Sequence, residues 1–171
     1  YSTAMGGNSY AGILATAAGV DANASGDSST ALGRKAKSVG VQSTALGDSA
    51  ESIGDESMAI GANSKASGRF SGAIGAGSEA SDDYSTAIGF EANASALNSV
   101  ALGSSSIADE ADTVSVGSSS LRRRITNVAA GTADTDAVNV SQLSATTADL
   151  KYFDVNDTGI TNPAAASATG T

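Results

Sequence analysis

The sequence contains no cysteine, no histidine and no tryptophan, and aromatic residues make up 4% of its 171 positions. Without cysteine there is no disulfide frame, and without histidine the commonest general acid/base and the commonest zinc ligand are missing. Much enzyme chemistry is thereby excluded, and neither a cofactor nor a metal is expected. Bases are scarce as well: 9 Lys and Arg stand against 18 Asp and Glu, a net charge of -9. Within residues 1–117 there are 13 acids and 5 bases, a balance that disfavours nucleic acid and anionic membrane surfaces as partners. No run of about 18 or more apolar residues occurs, so no membrane-spanning helix and no membrane contact are expected. Tyr1 stands directly inside a repeat and the sequence stops in an Ala/Ser/Thr stretch, which reads as a segment of a longer chain.

What the sequence does have is glycine at a fixed interval. Gly6, Gly19, Gly33, Gly47, Gly61, Gly75, Gly89, Gly103 and Gly117 are 14 residues apart after a first step of 13. Two residues before each stands alanine, from Ala4 through Ala101, with Ser115 at the last. The residue immediately before is apolar throughout, as at Leu46, Ile60, Ile74, Ile88 and Leu102. Small residues recur three and five positions later, as at Ser64 and Ala66 or Ser78 and Ala80. A disordered chain of similar composition does not hold such positions in phase over so many repeats, so each 14-mer is one copy of one structural unit.

At about 3.3 Å per strand residue, 14 residues make two strands of about five residues and two tight turns, which is one flattened coil. Period-two alternation puts Thr44 with Leu46, Met58 with Ile60, Thr86 with Ile88 and Val100 with Leu102 on one face, and alanine on the other. Glycine in the turns relieves the penalty for positive φ, and a companion series at Gly26, Gly40, Gly54 and Gly68 marks the opposite turn before lapsing at Asp82, Ala96 and Glu110. Stacked coils form parallel ladders around a thin core, and a lone roll is expected to be marginal in stability. The alanine stripe, Ala31 through Ala101, is small and apolar enough to pack closely against another copy. A homo-oligomer held along that stripe is therefore expected, although the pattern leaves open which face looks inward.

After Leu121 the period stops. Val140, Leu143, Thr147 and Leu150 have the spacing of coiled-coil core positions, with Asp134 or Thr135 as candidate helix caps. The run RRRITNVAAGTADTDAVNVSQL, starting at Arg122, resembles the neck of the YadA-like trimeric autotransporter adhesins of Gram-negative bacteria. Repeats such as NSVALGSSSIA at Asn98 to Ala108 are similar to the head repeats of that family.

The resemblance implies an all-β, left-handed parallel β-roll solenoid at 1–117, three rolls packed about an axis as a homotrimer, and a neck at 118–143 that crosses the chains over. It further implies a short α-helical coiled-coil stalk at 144–151 and, from the motif Lys151 to Asn156, a connector at 152–171 towards a following head. It places the protein on the bacterial cell surface, anchored in the outer membrane by a C-terminal domain outside the present sequence. Its implied role is attachment to a host extracellular-matrix protein such as collagen, fibronectin or laminin, or to cells. The rival role is a structural spacer that lifts a distal head.

Other motifs have simpler readings. Gly75, Gly77 and Ala80 fit a dinucleotide fingerprint, but the repeat accounts for them and no helix follows. The carboxylate pairs Asp55 and Glu56, Asp82 and Asp83, and Glu110 and Asp112 read as solvated turn charge, since no aromatic platform or basic clamp accompanies them. Arg122, Arg123 and Arg124 are expected to pair with Asp134 and Asp136 of neighbouring chains and set the register of the neck. Arg34, Lys35, Lys37, Arg69, Phe70, Tyr84 and Phe90 interrupt the run of small residues and are the candidate ligand contacts.

Overall fold

The computed structural model describes residues 1–150, with side chains through residue 146, so the expected connector and the side chain of Leu150 lie outside the described residues. The chain divides into two compact units, Tyr1–Arg123 and Arg124–Thr171. The first is a parallel β-solenoid.

Each coil holds one strand of three residues and one of two, as in Thr44–Leu46 and Glu51–Ser52, rather than two of about five. The remaining residues go into turns that are themselves laddered: the Ser49 N–H donates to the Arg34 carbonyl and the Gln42 N–H to the Asp27 carbonyl, both at 2.8 Å. The longer strands, closed by the two-residue Val114–Ser115, form a nine-stranded sheet in chain order, and the shorter strands form an eight-stranded sheet. We call these the first and the second sheet. Their register is the repeat itself, with Ala45 paired to Ala31 and Ala59, and Leu46 to Leu32 and Ile60.

The alternation resolves opposite to the expected interface. Ala17, Ala31, Ala45, Ala59, Ala73, Ala87 and Ala101 are each 0% exposed and fill the inside of the roll, so the alanine stripe cannot meet another copy. The second sheet answers with Ala or Ser, as at Ala50 and Ser52 or Ser64 and Ala66. Among the described residues every fully buried side chain is alanine or serine. A 14-residue coil brings its two strands too close for a leucine between them, and the larger apolar side chains are forced outward.

Buried serine satisfies its hydroxyl locally. Ser43 Oγ donates to the Gly40 carbonyl at 2.7 Å and lies 2.6 Å from Ser38 Oγ, and Ser57 repeats this with Gly54 and Ser52. Where the facing residue is alanine, as at Ala66, the bond from Ser71 to the Gly68 carbonyl remains. The inner polar row is therefore compatible with a dry core.

The two glycine series serve different needs. From Gly6 to Gly103 the main series has φ from 110° at Gly103 to 143° at Gly47, a region closed to other L-residues, whereas Gly117, past the last complete coil, is not in it. The companion glycines are not in the positive-φ region, which corrects the expectation for the opposite turn. What they provide is clearance, since a Cβ at Gly40 would lie 2.0 Å from the Gly54 carbonyl oxygen. Any residue can adopt their backbone angles if the next coil gives way, which is why that series can lapse. Positive φ in that turn falls two residues later, on Gln42, Glu56, Phe70 and Tyr84.

Three substitutions test this core by urea denaturation. Ala59→Leu has no room and should destabilise by about 1–3 kcal/mol or more. Ser43→Ala strands the Ser38 hydroxyl and should cost about 1–3 kcal/mol, whereas Ser38→Ala recreates the Ala66 arrangement and should stay within roughly 0.5 kcal/mol.

Candidate interaction surfaces

The roll offers four outward surfaces: the outer face of each sheet and the two turn edges. The first-sheet face carries Thr30 and Leu32, Thr44 and Leu46, Met58 and Ile60, Gly72 and Ile74, Thr86 and Ile88, and Val100 and Leu102, with no charged residue from end to end. Leu46, Met58 and Leu102 are 42 to 45% exposed. Charge is confined to the other three surfaces. The edge formed by the companion turns holds Asp27, Asp55, Glu56, Asp82, Asp83, Glu110 and Asp112 against the single base Arg69.

The candidate ligand residues fall on three different surfaces. Arg34, Lys35 and Phe90 lie on the main-glycine edge, where Arg34 pairs with Asp48 one coil on. Lys37 stands on the outer face of the second sheet. Arg69, Phe70 and Tyr84 share the companion edge and do come together. The rings of Phe70 and Tyr84 stack with centroids 5.2 Å apart and planes 11° from parallel, and the Arg69 guanidinium lies 5.0 Å from the Phe70 centroid. Both aromatics occupy left-handed backbone positions, φ 55° and 58°, which are unfavourable for bulky residues. Their stacking, about 0.5–1.5 kcal/mol for such pairs, offsets part of that cost.

Turn carboxylates are engaged with the backbone. Asp55 Oδ1 accepts the Val41 N–H at 2.9 Å, and Asp83 Oδ1 accepts the Arg69 N–H at 2.8 Å. In each case the acid of one coil caps the turn of the coil before it. Asn8 with Asp21 and Asn98 with Asp112 make the same lateral link through side chains.

At the last coil the ladder has no successor, and Arg123 takes its place. Its guanidinium donates to Ser106 Oγ at 3.0 Å, to the Val116 carbonyl at 2.8 Å and to the Ser104 carbonyl. A Cβ at Gly103 would meet Arg123 Cζ at 3.2 Å, where earlier glycines would meet the backbone of the following coil. Beside the pairing between chains expected of it, Arg123 makes these contacts within its own chain, and the signal for them is a donor-rich side chain just after the final repeat.

In the second unit the α-helix Val140–Leu150 is capped by Asn139 rather than by Asp134 or Thr135. Asn139 Oδ1 accepts the Gln142 N–H at 3.1 Å while Gln142 Oε1 accepts the Asn139 N–H at 3.3 Å, a reciprocal capping box. Gln142 also holds both the N–H and the carbonyl of Gly131 at 2.9 Å. Asp136 instead closes its own turn, accepting the N–H groups of Thr132 and Ala133 at 2.9 Å each. Val140 and Leu143, the expected seam residues, are 79% and 59% exposed on the single chain.

A parallel roll of 14-residue coils with an outer apolar row, followed by a capped helix, is the architecture of an adhesin head with the start of its stalk. Family models described as the YadA head domain repeat match residues 11–36, 24–50, 38–64, 52–71, 66–92 and 94–120, and one described as the coiled stalk of trimeric autotransporter adhesin matches 124–166. A solved structure, the collagen-binding domain of the Yersinia adhesin YadA, is 30% identical with a TM-score of 0.70, covering 86% of this chain and 97% of that one. A search of curated proteins found no match. The chain belongs to the YadA-like trimeric autotransporter adhesins.

Two observations are open to measurement. Arg123→Ala should lower hydrogen-exchange protection at Ile107, whose N–H bonds to the Gly117 carbonyl, while leaving central coils unchanged. The Ala133 and Thr132 N–H groups hold the Asp136 carboxyl below its ordinary value of 3.8. A lowered folded pKa means that the contribution of this turn is complete above the ordinary carboxylate range and is lost as pH falls through the lowered value. The Thr132 and Ala133 amide resonances should therefore titrate together with a midpoint below 3.8.

Proposed function

We propose that this chain is the adhesive head of a homotrimeric, cell-surface adhesin that attaches to a host extracellular-matrix protein or cell, by binding and not by catalysis. The observation that carries the reading is the uncharged first-sheet face. An apolar row running the length of the roll, beside surfaces that hold every charge, has the charge depletion of a protein interface core. It supports packing of three rolls through the Leu, Ile and Met row, in place of the alanine stripe. The thin core supports the same conclusion, because a roll filled with alanine and serine buries little apolar area by itself.

The match to a collagen-binding domain supports a matrix protein as the target. A repetitive head meeting a repetitive fibre converts many weak contacts into one durable attachment. Arg69, Phe70 and Tyr84 are the residues we assign first to ligand contact, as an exposed cluster rich in the residue types that dominate interfaces. In the neck, Arg122, Arg124 and Asp134 are left for pairing between chains, and Val140, Leu143 and Leu150 form the seam of the stalk. The assigned boundaries are a head at 1–117, a neck at 118–143, a stalk at 144–151 and a connector at 152–171, with anchorage in the outer membrane by a further domain.

Sedimentation equilibrium tests the trimer, and binding to immobilised collagen, fibronectin and laminin over a salt series tests the attachment. Ile74→Asp combined with Ile88→Asp should weaken trimerisation by about 100-fold or more, since like charges would meet in a dry contact. A parent protein that sediments as a monomer would sink the assembly. A trimer that binds none of the three matrix proteins would assign the segment to the spacer role.

A further inference from the structure

Asn23, Ala24 and Ser25 form an N-x-S triplet, and Asn93, Ala94 and Ser95 repeat it at the same phase of a later coil. The asparagines open the short strands Asn23–Ala24 and Asn93–Ala94 of the second sheet, and each is followed by an alanine buried inside the roll and then an exposed serine. Alternation along the strand sets asparagine and serine side by side on the outer face. The flanking rungs are Tyr10 and Lys37 for Asn23, and Glu79 and Ile107 for Asn93.

The two amides share a second property. Asn23 Oδ1 and Asn93 Oδ1 are buried without a hydrogen-bond partner, and among the described residues no other side-chain polar atom is left so. Such atoms are rare in folded chains, and each asks for an explanation. Burial of the oxygen turns the other end of the amide outward, where Nδ2 is accessible and makes no hydrogen bond.

The remaining N-x-S triplet among the described residues, Asn139, Val140 and Ser141, is the opposite case. Asn139 Nδ2 donates to the Val128 carbonyl at 3.2 Å, and its Oδ1 accepts the Gln142 N–H at 3.1 Å. Ser141 Oγ donates to the same Oδ1 at 2.7 Å. Both side chains of that motif are engaged in the helix cap.

We propose that Asn23 and Asn93 are sites of N-linked glycosylation and that Asn139 is not. The donor is a glycosyl diphosphate, brought to the motif by a transferase specific for it. At the anomeric carbon the C–O bond to the diphosphate breaks, and its electron pair leaves with the diphosphate. A C–N bond to Nδ2 forms, and one amide proton passes to a base of the transferase. An outward nitrogen on a sheet face leaves space for the sugar, and Ser25 or Ser95 supplies the hydroxyl that the motif requires. Five coils separate the two sites, a spacing of about 24 Å, so the sugars cover opposite ends of the second sheet and leave the uncharged first-sheet face bare.

The test uses the protein purified from the surface of the cells that make it. Tandem mass spectrometry that retains side-chain sugars should find the Asn23 and Asn93 peptides carrying one hexose or more, and the Asn139 peptide bare. Asn23→Gln with Asn93→Gln should abolish the added mass. Ser25→Ala with Ser95→Ala keeps both amides and should abolish it too, whereas Ser25→Thr with Ser95→Thr preserves the motif and should retain it.

Bare Asn23 and Asn93 peptides, a sugar on Asn139, or a sugar that survives the Ser→Ala pair overturns the proposal. Melting curves of the variants verify that the roll is intact. Sedimentation of the same proteins reports separately on the trimer, so a glycosylated monomer would sink the assembly and leave these sites standing.

Discussion

The distance between the two strands of a coil governs everything else in this molecule. Fourteen residues, of which five are strand and the rest turn, leave room between the sheets for a methyl or a hydroxymethyl group and nothing larger. Alanine therefore becomes the core residue and serine its polar equivalent. Leucine and isoleucine, which fill the interior of most proteins, become surface residues. With so little area removed from water inside the chain, the backbone ladder carries much of the order.

The same constraint separates what the sequence makes legible from what it hides. The 14-residue period gives the coil, the parallel register and the turn positions, because each depends only on spacing along the chain. Alternation within Thr44–Leu46 shows that Ala45 and Leu46 face opposite ways, but hydrophobicity favours burying Leu46. Only the space across the roll, a tertiary quantity, reverses that choice. The strands are shorter than a residue count predicts for a related reason, since turns that continue the ladder look like strand when counted by residue.

In the second unit the deciding contact is local. Asp134, Thr135 and Asn139 are all suitable caps by residue type, and what distinguishes Asn139 is Gln142 three residues later, the reciprocal partner that makes a capping box. Arg123 illustrates a different limit, because the carbonyls it covers belong to Ser104 and Val116 and exist as unmet acceptors only where a solenoid ends. The candidate ligand residues are those that break the repeat, and breaking it is a property of sequence alone. Their distribution over two edges and a face follows from their phase within the 14-residue coil, so Arg69, Phe70 and Tyr84 could be grouped once that phase was fixed.

The laddered turns have a mechanical consequence. Strand and turn hydrogen bonds alike run from one coil to the next, so a pull along the roll is resisted at every junction by all the bonds of that rung acting together. Rungs are loaded one after another, like the links of a chain, and breaking strength is set by the weakest junction and not by the number of junctions. A roll of the same repeat with more or fewer coils would differ in length but not in the force at which its weakest junction parts.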